Sequence, residues 1–249
     1  MDFTHAEGVR WWLGKRRYLV DELKIDGFKT DGGEMVWGRD LVFADGSNGA
    51  LNRNRYPRDY IKAYYDLAQE NDGICFSRAG YTGAQTFPAH WAGDERSTWD
   101  AFKRSLLAGL SAGLSGVIFW GWDFAGFSGE VPSAELYIRG AQMAAFCPIM
   151  QYHAESKAEF NQDRTPWNIA ERSGDPRALT HYAFMARLRM QLMPYMVREA
   201  ASACALGVPL MRAMMLDHQD DPQAPRLWDQ YMFGRDLLVA PIIEEGARS

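Results

Sequence analysis

The sequence predicts an α/β fold in which a parallel sheet is covered by helices. Two observations carry that prediction. Short strand-like segments alternate with helical ones over most of the 249 residues, and those segments are apolar on both faces, as strands buried between helices must be. A third observation concerns function: polar residues gather just after each strand-like segment. Hydrophobic residues make up 47% and charged residues 24% of the chain, an ordinary globular composition that excludes wholesale disorder. At about 150 residues per domain, the length allows one or two domains.

In chain order, Val9, Trp12, Leu13 and Leu19 recur at helical spacing, which predicts a helix over residues 8–23. Residues 25–31 are short, partly apolar and closed by Gly32 and Gly33, and read as a buried strand entering a loop. A helix follows over 58–70, a second strand over 73–79, and a third strand ends near His90 and Trp91. A helix starts at Ser97, with Thr98 and Asp100 as capping candidates, and runs to about Leu114. Residues 116–123 form the clearest strand, Ser133 opens another helix, 146–152 reads as a fifth strand, and 178–206 as a long helix. After Leu206 the rhythm changes: 208–212 and 232–243 look like strands with no long helix between them.

The polar set after the strands comprises Asp31, Glu34, Arg78, Trp91, Asp94, Asp123 and His153. These residues share one rim of a (β/α) barrel, and they line the carboxyl edge of an open doubly wound sheet equally well. Five strands of this type fall short of the eight that close a barrel, so a barrel reading makes the chain part of one.

Several classes of function are excluded or disfavoured. With 27 basic and 32 acidic residues the net charge is −5, which recommends no nucleic acid as partner. The first ten residues carry no basic stretch followed by an apolar one, which predicts no signal peptide and a cytoplasmic location unless the N-terminus is internal to a longer protein. The longest near-apolar stretch, 106–122, is laced with Gly and Ser and is too short to span a membrane. Cys75, Cys147 and Cys204 form no CxxC pair and are expected to be reduced core thiols. The five histidines show no metal-ligand spacing, and there is no phosphate-binding glycine motif, so neither metal nor nucleotide binding is expected. The aromatic content, 13%, suits a core and also a pocket that stacks flat sugar faces.

Asp31 and Asp94 are the strongest chemical pair, since both follow strands and sit among Gly and aromatic residues. Two facing carboxylates divide glycosidic cleavage: one attacks or stabilises the anomeric centre while the other protonates the leaving oxygen. Lys29 and Arg78 belong to the same strand-end set, and a cation close to Asp31 would keep it ionised.

At these residues the chain resembles glycoside hydrolase family 31, the α-glucosidase and α-xylosidase family. The resemblance is carried by Asp2-Phe3-Thr4, by Phe28-Lys29-Thr30-Asp31-Gly32-Gly33-Glu34 and by Phe76-Ser77-Arg78-Ala79-Gly80. It continues through Pro88 to Asp94, Phe119-Trp120-Gly121-Trp122-Asp123, Arg189 to Tyr195, Pro209 to Met215, and Tyr231 to Pro241, covering essentially the whole chain in order.

The resemblance implies part of a (β/α)8 TIM barrel, about strands 4–8, over residues 1–206, followed by the truncated beginning of a C-terminal β-sandwich over 207–249. It implies a retaining α-glycosidase that cleaves terminal α-linked glucose or xylose from oligosaccharides through a covalent glycosyl-enzyme. Asp31 would be the nucleophile and Asp94 the acid and then the base, their carboxyls about 5–5.5 Å apart. Lys29, Arg78, Trp91, Asp123 and His153 would bind the sugar, over a floor of Trp91, Trp120 and Asp123. No cofactor is implied. The chain is expected to be a fragment that is marginally stable alone, and an inactive sugar-binding remnant is the alternative outcome.

Departures from the family pattern bear on substrate choice. Trp122 precedes Asp123 where the family usually has His, Ala125 and Gly126 stand in place of the commoner Gly-Gly, and Gly32 stands where xylosidase-like members carry a bulky aromatic.

Other signals are weaker. Residues 109–113 match the G-x-S-x-G nucleophile elbow at Ser111, with Asp123 and His153 following in the order of serine esterases. An elbow needs a strand before and a helix after the serine, and the reverse is predicted here, so close helix–sheet packing explains the small residues better. His90 is expected in the core or behind the site, and Glu34 and Glu155 as supporting or solvated charges. Arg53, Arg55 and Arg58 read as a solvated loop and helix start, and Met211, Met214 and Met215 as strand core.

Overall fold

A computed structural model describes residues 1–87, 89–155 and 163–248. It divides into two compact units, Met1–His90 and Trp91–Ser249.

The first unit opens with α1 (Ala6–Gly14) and α2 (Arg17–Asp21), two short helices where one is predicted. His5 caps α1 by accepting the Gly8 amide. Then come β1 (Gly27–Thr30), α3 (Gly49–Gln69), β2 (Ile74–Ser77) and β3 (Ala89–Trp91), which runs over the unit boundary. β1, β2 and β3 lie side by side and parallel, with Phe28 opposite Cys75, Thr30 opposite Ser77 and Ser77 opposite His90. The buried Thr30 hydroxyl donates to Ser77 Oγ at 2.7 Å, so the polar ends of the strands satisfy one another.

α3 covers these strands and starts nine residues earlier than the sequence suggests, at an Asn48 cap that accepts the Leu51 amide. Its stripe of Tyr56, Tyr60 and Tyr64 meets Phe3 and Phe28 edge-on at centroid distances of 5.3–5.5 Å, each such pair adding about 1 kcal/mol beyond simple burial.

In the second unit α4 (Trp99–Leu114), capped by Thr98, is followed by β4 (Phe119–Gly121) and by α5 (Ala134–Ala144), capped by Ser133. The Ala92 amide, just past β3, donates to the Gly121 carbonyl of β4 at 3.1 Å. Phe102, Leu106 and Leu110 of α4 pack with Trp120, Trp122, Phe124 and Tyr137 into the largest core of the unit. Phe102 and Trp122 stack at 5.2 Å with an angle of 6°. Gly109 lets α4 lie directly on β4, since a Cβ there would come within 2.8 Å of the Trp120 ring. Ser111 lies exposed in the last turn of α4, with no strand–turn–helix elbow around it.

Residues 146–152, predicted as a fifth strand, form only a bridge: Gln151 pairs with Asp123, and Ile149 donates to the Trp120 carbonyl at 3.3 Å. The cause lies far along the chain. Arg189 directs its guanidinium at the carbonyls of Ala144, Ala145, Cys147 and Pro148 at 2.7–3.3 Å, which holds the start of this segment against the end of α5, and Pro148 brings no amide to a ladder.

α6 (Pro166–Ser173), which the sequence did not announce, and α7 (Arg177–Leu206) lead to β5 (Met211–Ala213), α8 (Met214–Asp217), β6 (Tyr231–Phe233) and β7 (Leu237–Val239). The last three strands form an antiparallel sheet with Met211 opposite Phe233 and Tyr231 opposite Val239. Tyr195 of α7 donates to the Phe233 carbonyl at 2.7 Å and accepts the Asp236 amide at 3.1 Å. The side chain of Glu199 is wholly buried, and the Arg235 guanidinium at 3.1 Å holds its carboxyl below the usual carboxylate range.

Two core expectations are corrected. Cys75 and Cys147 are buried and burial pushes both thiols up to about 12, but Cys204 is exposed on α7. Met211 lies in strand core, whereas Met214 and Met215 begin α8 and Met215 faces outward. No helix among the described residues is long and apolar enough to cross a membrane.

Candidate active site

In the first unit, Lys29 leaves β1 on the face opposite the buried Thr30, because strand side chains alternate. Its Nζ lies 5.9 Å from the centre of the Phe76 ring on β2. Asp31 follows at the strand end, its carboxylate largely open to solvent. Asp31 Oδ1 accepts the Gly32 amide at 2.8 Å and pairs with Arg78 Nη1 at 2.6 Å. The second nitrogen of the same guanidinium pairs with Glu34 Oε1. Arg78, only 17% exposed, thus spans the two acids of the Asp31–Glu34 turn. It is the cation the sequence called for beside Asp31, and Glu34 is its second anchor.

The turn depends on its glycines. Gly33 has φ +96°, and a Cβ there would lie 2.6 Å from the Tyr60 ring. That close approach lets Tyr60 donate its hydroxyl to the Asp31 carbonyl at 2.7 Å. Burial, aided by the nearby Asp31 carboxylate, holds the Tyr60 phenol far above its ordinary value, so it is a neutral donor. Gly32 has φ +78° with nothing within 4 Å of a Cβ, which leaves open space beside Asp31.

Around the carboxylate lies a cleft of about 390 Å³ walled by Phe3, Trp12, Met35, Tyr60 and Arg78. Phe3 is held there by its neighbours. Asp2 accepts from the Thr4 amide and hydroxyl and from the Ala44 amide at 2.7–2.8 Å, which ties the segment to the 41–48 loop.

In the second unit, Trp91 is buried, Asp94 is exposed on the turn after β3, and Asp123 is wholly buried after β4. Gln151 donates its side-chain amide to Asp123 Oδ1 at 2.6 Å. His153 is exposed, its ring 5.1 Å from that of Phe127. The loops that bear these residues are laced by main chain. Phe127 and Ser128 both donate to the Glu95 carbonyl at 2.8 and 2.9 Å, Ser97 donates to Ser128 at 3.2 Å, and Glu155 donates to Phe127 at 3.0 Å. The buried Arg164 adds bonds to Ser97 Oγ at 3.2 Å and the Gly129 carbonyl at 3.0 Å. Asp94, Asp123 and His153 therefore belong to one loop cluster.

One residue sits elsewhere than expected, while His90 is buried as the sequence predicts. Trp120, assigned to the pocket floor, lies with its ring against Gly109 in the helix–sheet core. His90 is 6% exposed, and burial pushes its imidazole down to about 4. Sequence reasoning missed Tyr60, Phe127, Gln151 and Arg164. The i, i+4, i+8 tyrosine stripe of α3 was the one available signal, and such a stripe reads as ordinary core. Among the described residues no group of three His, Cys, Asp or Glu side chains forms a metal site.

The family description "Glycosyl hydrolases family 31 TIM-barrel domain" matches residues 1–199, and "Glycosyl hydrolase family 31 C-terminal domain" matches residues 207–249. The chain is 48% identical over 250 residues to an isomaltosyltransferase of Sporosarcina globispora, covering 99% of this chain and 23% of that protein. It is 49% identical over 248 residues to a 1,3-alpha-isomaltosidase of Kribbella flavida, covering 95% of this chain and 33% of that protein. Among solved structures it matches a cycloalternan-degrading enzyme from Trueperella pyogenes in complex with a covalent intermediate, with TM-score 0.94, 48% identity, and coverage of 99% of this chain and 34% of that one. The chain thus spans only 23–34% of the length of these relatives.

Proposed function

The chain belongs to glycoside hydrolase family 31, and on that premise we propose that it carries both catalytic acids of a retaining α-glycosidase acting on α-linked glucose oligosaccharides. The observation that carries this reading is the Asp31 carboxylate, paired with Arg78 and set in an aromatic-walled cleft, at the position where the family pattern places a nucleophile.

In the reaction, an Asp31 oxygen attacks the anomeric carbon as the bond to the leaving oxygen breaks, and Asp94 gives that oxygen its proton. Asp94 then takes a proton from water, or from an acceptor sugar's hydroxyl, as that oxygen attacks the same carbon and frees Asp31. The two inversions retain the α configuration. Lys29, Arg78, Trp91, Asp123 and His153 bind the ring at the cleaved bond, the barrel portion is 1–206, and residues after it begin a β domain. Support for a covalent intermediate comes from the trapped complex of the relative from Trueperella pyogenes.

Glucose is preferred to xylose in this reading. Gly32 leaves open the space beside Asp31 that a larger residue would fill, and the two curated relatives compared above are named for isomaltosyl substrates.

The test uses the full-length protein that contains this chain. It should hydrolyse nitrophenyl α-glucoside in preference to the α-xyloside, and Asp31→Asn should lower kcat/KM by about 10⁴-fold. Acid-quenched turnover should show a glycosyl mass increment on the Asp31 peptide. Full activity in Asp31→Asn, or an increment on another peptide, would remove the assignment.

A further inference from the structure

A second cleft of about 390 Å³ opens on the first unit, lined by Leu51, Asn54, Arg55 and Arg58 of α3 and by Tyr81 and Thr82 of the loop after β2. None of these side chains belongs to the site described above. We propose that this cleft is an accessory subsite that holds a distal sugar of an α-linked glucose oligosaccharide; the proposal rests on the glycosidase reading and extends it away from the cleaved bond.

The chemistry of the lining fits a sugar. Tyr81 is 53% exposed and Leu51 62% exposed, so two apolar faces stand in water beside one another in a concavity, where a sugar ring's C–H face would cover them. Around them are hydroxyl-binding groups of planar geometry. The Asn54 amide has no hydrogen bond to a described residue and carries both donors and an acceptor. Arg58 pairs with Asp59 at 3.2 Å while its side chain remains 45% exposed, which leaves donors turned outward.

The cleft is also rigid before any ligand arrives. Arg55 is fixed between Asp45 and Asp59, each at 2.8 Å. The Arg58 stem lies on Gly83, where a Cβ would come within 3.0 Å and φ is +98°. A preformed surface loses little affinity to ordering.

Its place on the chain suits a distal sugar. α3 begins where the loop that starts at Asp31 ends, and Tyr81 follows Arg78 by three residues. Three residues of extended chain span at most about 10 Å, so Tyr81 lies within reach of a short oligosaccharide whose end is at Arg78.

Calorimetry on the full-length Asp31→Asn protein, with glucose and with isomaltose through isomaltotetraose, tests the proposal. Tyr81→Ala and Arg58→Met should each weaken tetrasaccharide binding about tenfold and change glucose binding by less than about twofold. Tyr81→Phe, which keeps the ring, should retain tetrasaccharide affinity. Unchanged tetrasaccharide binding in Tyr81→Ala, an equal loss for glucose, or no oligosaccharide binding at all overturns the subsite. The catalytic reading fails on a different result, hydrolysis persisting in Asp31→Asn, so the two failures are told apart.

Discussion

Asp31 and Asp94 are both exposed acids at the ends of short strands, yet their units hold them by different means. Around Asp31 the fixing elements are side chains: the Arg78 guanidinium, its Glu34 anchor and the Tyr60 hydroxyl. Around Asp94 the loops are laced by main-chain bonds between residues 95–97 and 126–128 and from there to Glu155, joined by the Ser128 hydroxyl and the Arg164 guanidinium. The difference suits the two roles proposed. A nucleophile gains from a charge set against it, and a residue that gives and then takes a proton gains from a fixed position. The first arrangement should break when a charge is removed, the second when backbone geometry is disturbed.

The largest effect is expected at Arg78. Arg78→Met takes the guanidinium from both Asp31 and Glu34; because both carboxylates are open to water, the loss of stability is small, about 1 kcal/mol, and the effect falls on the reaction. In the full-length protein kcat/KM for nitrophenyl α-glucoside should fall about 10³-fold, and Lys at this position should restore only part of it, since a point charge cannot span two acids. A loss below about tenfold would mean that charge is not what organises Asp31.

Next in size is an acid response confined to the first unit. His90 is buried and its folded value is pushed down to about 4 from 6.5. Above pH 6.5 it is neutral folded or unfolded and costs nothing. As pH falls from 6.5 towards 4 the unfolded chain takes up the proton first, and stability drops by about 3 kcal/mol in total. Denaturant melts across this window should show that slope, and His90→Phe should flatten it.

The same contrast explains what could be read from the sequence. The alternation of strands and helices, the caps at Thr98 and Ser133 and the strand-end positions of Asp31, Arg78, Asp94 and Asp123 all follow from local pattern, because burial between helices forces apolar strands and leaves polar residues at their ends. What escaped is long-range. Arg189 holds the start of the 146–152 segment from more than one helix away, and Arg164 and Gln151 reach their partners across 28 to 67 residues. The polar 49–57 stretch of α3 reads as loop because its stability comes from the Asn48 cap and the Arg55 ion pairs rather than from an apolar face.

For the laced loops, Gly126→Ala is the sharper probe. Gly126 has φ +99°, and its Cβ would lie 2.4 Å from the Ser97 amide nitrogen. The collision is with backbone, so the loop must shift, at a cost of about 2 kcal/mol. Thermal melts should record that loss, and kcat should fall together with it while the Arg78 variant loses kcat/KM at nearly full stability. If Gly126→Ala spared activity, the main-chain lacing would not be what positions Asp94.

The smallest effect tests whether strain in that loop has a use. Ala125 is 2% exposed and holds φ +62°, a conformation costly to any residue with a Cβ. Its methyl is admitted because Gly140 faces it; a Cβ on Gly140 would stand 3.3 Å from it. Ala125→Gly removes strain worth about 1–2 kcal/mol, adds about 0.4–1 kcal/mol of unfolded-state freedom and gives up a buried methyl worth about 0.8 kcal/mol, so the variant should be more stable by up to about 1 kcal/mol. If the methyl serves only packing, kcat stays within about twofold of the parent. A protein that gains stability and loses kcat tenfold would show instead that the strained turn, two residues from the buried Asp123, holds the loop in the geometry that catalysis needs, the exchange expected when strain is kept for function.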